Sequence, residues 1–507
     1  MEDLILTKII ATLGPASAGV ENIKMLIDEG ARVFRVNFSH GSFDGFSELI
    51  DQVRKASEET GIPVAVMGDL SGPKIRVGKV ADPGIALVKN GLVEFITHDI
   101  TGYLKENGTA VFSITLPGMI EEVKPGQRVL IDDGNIELQC TGKTADHLQC
   151  KVIQGGLVTS KKGVNLPETR LSVPPLTDWD VKCIEFAVKK RVDYLALSFV
   201  RSAEDIRILK DHLKALGVRP IEPLQYNDKE IGNLPEDLLF IPVISKIEKP
   251  QAIDDLESIV EESDGIMIAR GDLGVEMDLA EVAILQKRIV NICHDFGVPV
   301  IVATQMLQSM IESPTPTRAE VSDVANAIFD GVDAVMLSGE TAVGKWPFIT
   351  VRMMSRIARL TNRYILEQKI SHPVPRHIQE SRFRSAALAH GVKSIVKDID
   401  ARLIVIWSKF GRGALYLSQL DIPRPILAFS DLPETLNRLS LLYGVHPELM
   451  SQPLNSSGFI HAVDSKIIEK GWAEKGEAVV FVYGEPIQAS GVTNSIYIHY
   501  LSDLESL

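Results

Sequence analysis

The sequence predicts an α/β protein: a (β/α)8 barrel with a small all-β domain inserted in it and an α/β domain after it. Three observations predict this. Short runs rich in Val and Ile recur eight times, each followed by a helical pattern of about a dozen residues. One interval between runs is too long for a crossover helix and changes to alternating strands and tight turns. The runs end on charged and polar residues more often than packing alone requires.

The eight runs are Lys8–Thr12, Val33–Phe38, Val64–Gly68, Tyr194–Phe199, Ile241–Ile244, Gly265–Ala269, Val298–Ala303 and Ala334–Leu337. Continuous apolarity, rather than alternation, marks strands buried on both faces, as in parallel sheets. Eight such strand–helix units close into a barrel. Between Gly72 and about Leu171 the pattern alternates, as in Arg128–Ile131, Asp132-Asp133-Gly134-Asn135 and Ile136–Cys140. Asp-Gly between alternating hydrophobic runs signals a hairpin. The expected division is therefore barrel over 1–71 and 171–352, a β-barrel insertion over 72–170 after the third strand, and an α/β domain over 353–507. Strand candidates in the last part are Leu403–Trp407, Ile426–Phe429, Val479–Tyr483 and Ile496–Tyr500. Gly217–Phe240, with three prolines, reads as a surface excursion.

At 507 residues the chain is long enough for several domains. Its net charge of −14 argues against a general nucleic-acid or membrane-binding surface. Cys140, Cys150, Cys183 and Cys293 form no CxxC pair and read as reduced thiols of a cytoplasmic protein. The acidic start, Met1-Glu2-Asp3-Leu4, is not that of a secretory signal. No apolar run approaches the roughly 18 residues of a membrane span.

In a (β/α)8 barrel the active site gathers at the C-terminal strand ends. Here those ends deliver Thr12, then Arg35, Asn37 and Ser39, Asp69, Ser198 and Arg201, Lys246 and Glu248, Arg270 and Asp272, Thr304, and Ser338 and Glu340. A ring of bases and carboxylates suits phosphoryl transfer, which needs cations around the phosphoryl oxygens and a divalent metal held by one or two carboxylates. Glu248 and Asp272 follow successive strands and can converge on one metal. Lys246 and Glu248 share a face through strand alternation. Gly271 and Gly274 let backbone N–H groups approach an anion. Gly339–Trp346 nearly matches a P-loop, but Trp346 stands where that loop needs a hydroxyl. Thr317 and Glu320 read as a helix capping box; Arg318 reads equally as a structural ion pair or a catalytic support.

These residues fall in ordered blocks. Thr7–Ser17, Arg35–Gly41, Gly72–Arg76, Ile244–Glu248, Ala269–Gly274, Ala303–Met306 and Pro316–Asn326 resemble the signature blocks of pyruvate kinases, in that family's order along the chain. The resemblance implies transfer of a phosphoryl group from phosphoenolpyruvate to ADP, giving pyruvate and ATP, with Mg²⁺ or Mn²⁺. It implies that Lys246 and Arg35 hold the phosphoryl group, that Glu248 and Asp272 bind the Mg²⁺, and that Gly271, Asp272 and Thr304 hold the substrate carboxylate. Thr304, Ser338 and Glu340 then serve enolate protonation. Thr12, Pro15, His40, Arg76 and Lys162 lie on the nucleotide side, and the insertion closes as a lid. Asn37, Ser39, Asp69 and the Leu70 carbonyl match a monovalent-cation site. Lys74 stands where glutamate accompanies K⁺ dependence in this family, so K⁺ is expected to be dispensable. A cytoplasmic, allosteric homotetramer is implied by the resemblance alone.

Two other readings compete: a Mg²⁺-dependent aldolase or lyase on a related barrel, and an inactive relative that senses phosphorylated metabolites. The first needs neither the insertion nor Lys246. The second is weakened because Lys246, Glu248, Asp272 and Thr304 are all in place. In the C-terminal domain, Ser408–Ala414 has Phe410 and Gly413 where the resemblance leads one to expect Ser and Thr in a sugar-phosphate effector loop, leaving Ser408, backbone N–H groups and Lys409 or Arg412 to hold phosphate.

Overall fold

The computed structural model describes residues 4–116, 118–219, 239–370, 372–380, 384–488 and 493–501. Most of the 217–240 excursion, residues 220–238, lies outside them.

Eight parallel strands close a barrel: Lys8–Thr12, Ala31–Asn37, Ala65–Asp69, Tyr194–Leu197, Val243–Ile247, Gly265–Ala269, Val300–Ala303 and Ala334–Leu337. The continuous apolar runs form them because both faces are covered. One face meets the helices outside; the other fills the barrel with Ile10, Val33, Met67, Ile244, Met267, Ile301 and Met336. Helix starts are written locally. Thr177 with Asp180, and Thr317 with Glu320, form capping boxes, the second as expected.

Residues from Ile75 to Asn165, between the third and fourth barrel strands, form two sheets of eight and two strands. The Asp132–Asn135 turn joins Arg128–Ile131 to Ile136–Lys143 as an antiparallel hairpin, with Asp132 and Asp133 both at positive φ. The larger sheet curls back on itself: Gly78 N–H donates to Ser113 O at 2.8 Å and Thr115 N–H to Arg76 O at 3.0 Å. One short helix, Met119–Glu122, interrupts the all-β pattern.

The expected break at 353 falls inside a continuous helix, Pro347–Glu367. Its buried stripe of Val351, Met354, Ala358 and Ile365 runs across that point and keeps the helix on the barrel. Beyond it lies a five-stranded sheet in the order Val445–Leu449, Ile426–Ser430, Leu403–Trp407, Ala478–Tyr483, Ser495–Tyr500. This domain plugs the bottom of the barrel. Leu441 joins the barrel's interior cluster, Tyr194 donates to Arg438 O at 2.5 Å, and Ser440 donates to Pro63 O at 2.9 Å. The mouth at the C-terminal strand ends is left facing the insertion.

Candidate active site

The centre of the mouth is Lys246. Its Nζ lies 2.9 Å from Glu248 Oε1, 3.3 Å from Asp69 Oδ1 and 2.8 Å from Ser198 Oγ. Asp69 is buried and also accepts from Arg35 Nε at 2.6 Å. Burial alone would lower the ammonium's pKa; Asp69 and Glu248 outweigh it and hold the pKa above the ordinary lysine value. Burial likewise pushes Asp69 up, but Lys246 and Arg35 together leave it below the ordinary range. The group is thus a charged ammonium and a charged carboxylate in a dry setting, where charges act strongly.

Glu248 is held from two sides, by Lys246 and by the Phe199 N–H, which donates to Oε2 at 2.8 Å. Phe199 adopts a left-handed backbone (φ 56°), and Thr304 does too (φ 68°). That conformation costs free energy for non-glycine residues and clusters at functional sites. Burial raises the Glu248 pKa against the pull of Lys246, and the charge of Asp272 adds to the rise. The two carboxylates are therefore near enough for their charges to repel. Thr304 Oγ1 accepts from the Gly271 N–H at 2.6 Å and donates to Ala303 O at 2.6 Å. A Cβ at Gly271 would stand 3.2 Å from Thr304 Oγ1, so a larger residue there would press on that hydroxyl.

On one flank, Thr12 Oγ1 accepts from Arg35 at 3.2 Å and donates to Leu337 O at 2.8 Å. The Pro15 loop packs on Gly339–Ala342, where Ala16 N–H donates to Ala342 O at 3.0 Å. Those four residues form a short helix. Glu340 is buried and accepts from the Ser338 N–H at 2.7 Å and the Leu307 N–H at 3.2 Å, while Ser338 Oγ is buried without a protein hydrogen-bond partner. Burial lowers the pKa of His40, and the nearby charges of Arg76, Lys74 and Arg35 lower it further. These cations share one side of the mouth. Asn37 Oδ1 accepts from the Ser39 N–H at 3.1 Å, and the Leu70 carbonyl accepts from Ser198 Oγ at 2.6 Å.

Three expected residues are engaged elsewhere. Arg201 turns back to Asp205 at 3.1 Å and donates to the Leu171 and Val173 carbonyls, clamping the chain where it returns from the insertion. Arg270 forms a two-pronged pair with Asp323 at 2.7 and 2.6 Å, bracing the Thr304 loop rather than facing the mouth. Lys162 pairs with Asp132 at 2.6 Å within the insertion. Long side chains take the nearest acceptor, and position in the sequence alone does not fix that choice.

A polar cluster that strand-end reasoning omits ties the insertion to the barrel. Glu276 Oε1 is paired with the Lys249 ammonium and accepts from Asn165 Nδ2 at 2.7 Å. Glu276 lies four residues past Asp272 on one helix, hence on the same face, and Lys249 directly follows Glu248. Those two spacings are the signal that could have exposed the cluster.

The family model "Pyruvate kinase, barrel domain" matches residues 5–351, and "Pyruvate kinase, alpha/beta domain" matches residues 386–499. A pyruvate kinase of Mycobacterium tuberculosis is 38% identical over 496 residues, covering 98% of each chain. One from Corynebacterium glutamicum is 38% identical over 497 residues, again 98% of each. One from Thermotoga maritima is 37% identical over 492 residues, 97% of this chain and 98% of the relative. Among the described residues, no helix is long and apolar enough to cross a membrane. Matched in order by both domain models and alike to these relatives over nearly its whole length, the chain belongs to the pyruvate kinase family of phosphotransferases.

Proposed function

We propose that phosphoenolpyruvate and ADP meet above Lys246, and that the buried ammonium between Asp69 and Glu248 carries the phosphoryl transfer. That arrangement is the observation on which the reading rests. A phosphoryl group in flight spreads negative charge over three oxygens, and catalysis is largely positioning and charge stabilisation. Lys246 and Arg35 supply fixed positive charge on the side of the barrel floor. Their carboxylate partner, Asp69, keeps both oriented and charged before substrate arrives.

The donor set fits Mg²⁺ or Mn²⁺. Glu248 and Asp272 are two carboxylates whose charges oppose one another. No group of three or more His, Cys, Asp or Glu side chains gathers as a metal cage among the described residues. Two carboxylates with the remaining positions left to water and substrate is the usual Mg²⁺ arrangement in phosphoryl transfer. Bound there, the cation supplies Lewis-acid stabilisation of the substrate's oxygens. The Asp272 N–H and Thr304 orient the substrate carboxylate, joined by the Gly271 N–H when substrate displaces its bond to Thr304 Oγ1, with Thr304 beside the carbon that takes a proton. Ser338 Oγ and Glu340 lie behind it as the proton route. Thr12, Pro15, His40 and Arg76 form the nucleotide side, which Lys162 joins on leaving Asp132. Asn37, Ser39, Asp69 and the Leu70 carbonyl form the monovalent-cation position.

The insertion acts as a lid that excludes water when it closes, and the Asn165–Glu276 contact gives it a fixed footing. The reading extends to a cytoplasmic homotetramer in which the C-terminal domain serves assembly and regulation; exposed Tyr497, Ile498 and Tyr500 on an edge strand support an assembly surface there. An assay with phosphoenolpyruvate, ADP and Mg²⁺, coupled to pyruvate reduction, tests the activity. Pyruvate formation that requires all three supports the reading. Release of pyruvate without ADP, or none at all, overturns it.

A further inference from the structure

The inserted sheet carries a feature the phosphoryl-transfer chemistry does not use. Cys140 and Cys150 are direct partners across the antiparallel strands Ile136–Lys143 and His147–Gln154. Both are buried in the insertion's apolar core, facing the same side. Cys140 exchanges its backbone hydrogen bonds with the opposite neighbour: its N–H donates to Gln127 O and its carbonyl accepts from the Gly126 N–H, each at 2.8 Å. Towards Cys150 it is therefore a non-hydrogen-bonded pair, the kind in which facing Cα atoms come to about 4.5 Å. That lies within the range a disulfide spans, at its short end. The register shifts immediately beyond Cys140, so Thr141 is an extra residue that lets the strand yield locally.

We propose that Cys140 and Cys150 are an intramolecular oxidation site, converted reversibly to a disulfide by a small hydroperoxide. The pair has a built-in asymmetry. The facing Cys150 thiol brings the Cys140 thiol down to about 7, helped by the charge of Lys143, although burial opposes it. The Cys150 thiol is pushed far up by the same contact and by its deeper burial. Cys140 is the attacking sulfur and Cys150 the resolving one. The Cys140 thiolate takes the distal oxygen of hydrogen peroxide as the O–O bond breaks, giving a sulfenic acid and a hydroxide, which is protonated to water. Cys150, giving its proton to the departing hydroxide, attacks the Cys140 sulfur; the S–O bond breaks and a second water leaves. The sum is two thiols and one peroxide to one disulfide and two waters. Burial of both sulfurs confines the reaction to an oxidant as small as peroxide.

Cys183 and Cys293 are the controls. Each is buried on a barrel helix, and burial first of all raises its thiol pKa. No thiol belongs to the catalytic ring, so reversible oxidation leaves Lys246 and its partners unchanged.

The test uses the full-length protein, treated with hydrogen peroxide and then blocked with an alkylating agent. The expected product is a chain of unchanged size that has lost the mass of two hydrogens, with a Cys140–Cys150 cross-link in its peptide map that dithiothreitol reverses. Cys150→Ala should stop at a sulfenic acid on Cys140, trapped by a dimedone probe, and the double variant Cys183→Ala/Cys293→Ala should still form the bridge. Oxidation confined to Cys183 or Cys293, cross-linking between chains, or full retention of both insertion thiols overturns the proposal. Because wild-type peptide mapping decides the point alone, a variant that folds poorly does not blunt the test.

Discussion

Lys74 reaches from the edge of the insertion and sets its ammonium 3.9 Å from Asp272 Oδ1 on the barrel. Both side chains are about one-third exposed, at 33% and 31%. A cation is thus already supplied beside a carboxylate proposed to bind Mg²⁺, on the side of the mouth shared with His40, Arg76 and Arg35. At about 4 Å a unit charge is worth roughly 4 kcal/mol at an effective dielectric near 20, so Lys74 can stand in for the charge of a monovalent cation. The expected outcome is activity that stays flat when KCl is titrated at constant ionic strength in a tetramethylammonium buffer. Lys74→Glu should then create a K⁺ requirement. Stimulation of the wild type by more than about tenfold, roughly 1.4 kcal/mol, contradicts this role.

The C-terminal loop should respond weakly, if at all, to a sugar bisphosphate. Ser408 is buried and its N–H is committed to Phe429 O at 3.0 Å. Phe410 offers no hydroxyl, and a Cβ added at Gly413 would stand 2.7 Å from Ile406 Cδ1. Each lost hydrogen bond to a charged group costs roughly 1.5–3 kcal/mol. Fructose 1,6-bisphosphate at micromolar concentration should leave the phosphoenolpyruvate saturation curve unmoved; a leftward shift would count against the reading.

Asp333 links the barrel floor to the C-terminal domain and makes stability depend on pH. Burial pushes its pKa up to about 7, although the N–H groups of Val300 and Tyr443 and the Gln419 amide oppose the shift; nearby Asp421 adds to it. Between about 4 and 7 the folded chain holds a proton that the unfolded chain has lost. This contribution to stability is complete below the unfolded pKa and is lost as pH rises through the folded one. Asp333→Asn, neutral at every pH, should lack the slope. Relative to wild type it should gain about 1.4 kcal/mol per pH unit through that window, read as the difference in urea unfolding free energies. The difference cancels carboxylates such as Asp69, whose depressed pKa acts in the opposite sense. A difference that does not change with pH contradicts the assignment.

Much of the architecture was legible because continuous apolar runs permit few alternatives. Lys8–Thr12, Gly265–Ala269, Ala334–Leu337 and Leu403–Trp407 have the expected bounds. The strand Val445–Leu449 escaped notice because it lies at a sheet edge, carries Pro447 and has only one fully buried position. Within the mouth, short side chains at strand ends are placed by the strand itself, as for Asp69 and Thr304. Arg201 and Arg270 are long enough to choose among partners, and Asp205 and Asp323 decide that choice. The Lys249–Glu276–Asn165 cluster joins parts of the chain whose proximity only the docked insertion establishes.

Substitution of Lys246 by methionine tests whether its ammonium carries the phosphoryl transfer. Methionine keeps the apolar stem and removes the ammonium that lies between Asp69, Glu248 and the site proposed for the phosphoryl group. By analogy with arginine fingers, one such charge is worth roughly 10³–10⁵ in rate. Leaving Glu248 buried without its cation should also lower the thermal midpoint, so kcat is measured at a temperature where circular dichroism shows the variant folded. In the folded variant, kcat for pyruvate formation from phosphoenolpyruvate and ADP should fall by at least about a thousandfold. A folded variant that retains more than about one-tenth of wild-type kcat, a change of only about 1.4 kcal/mol, would contradict it.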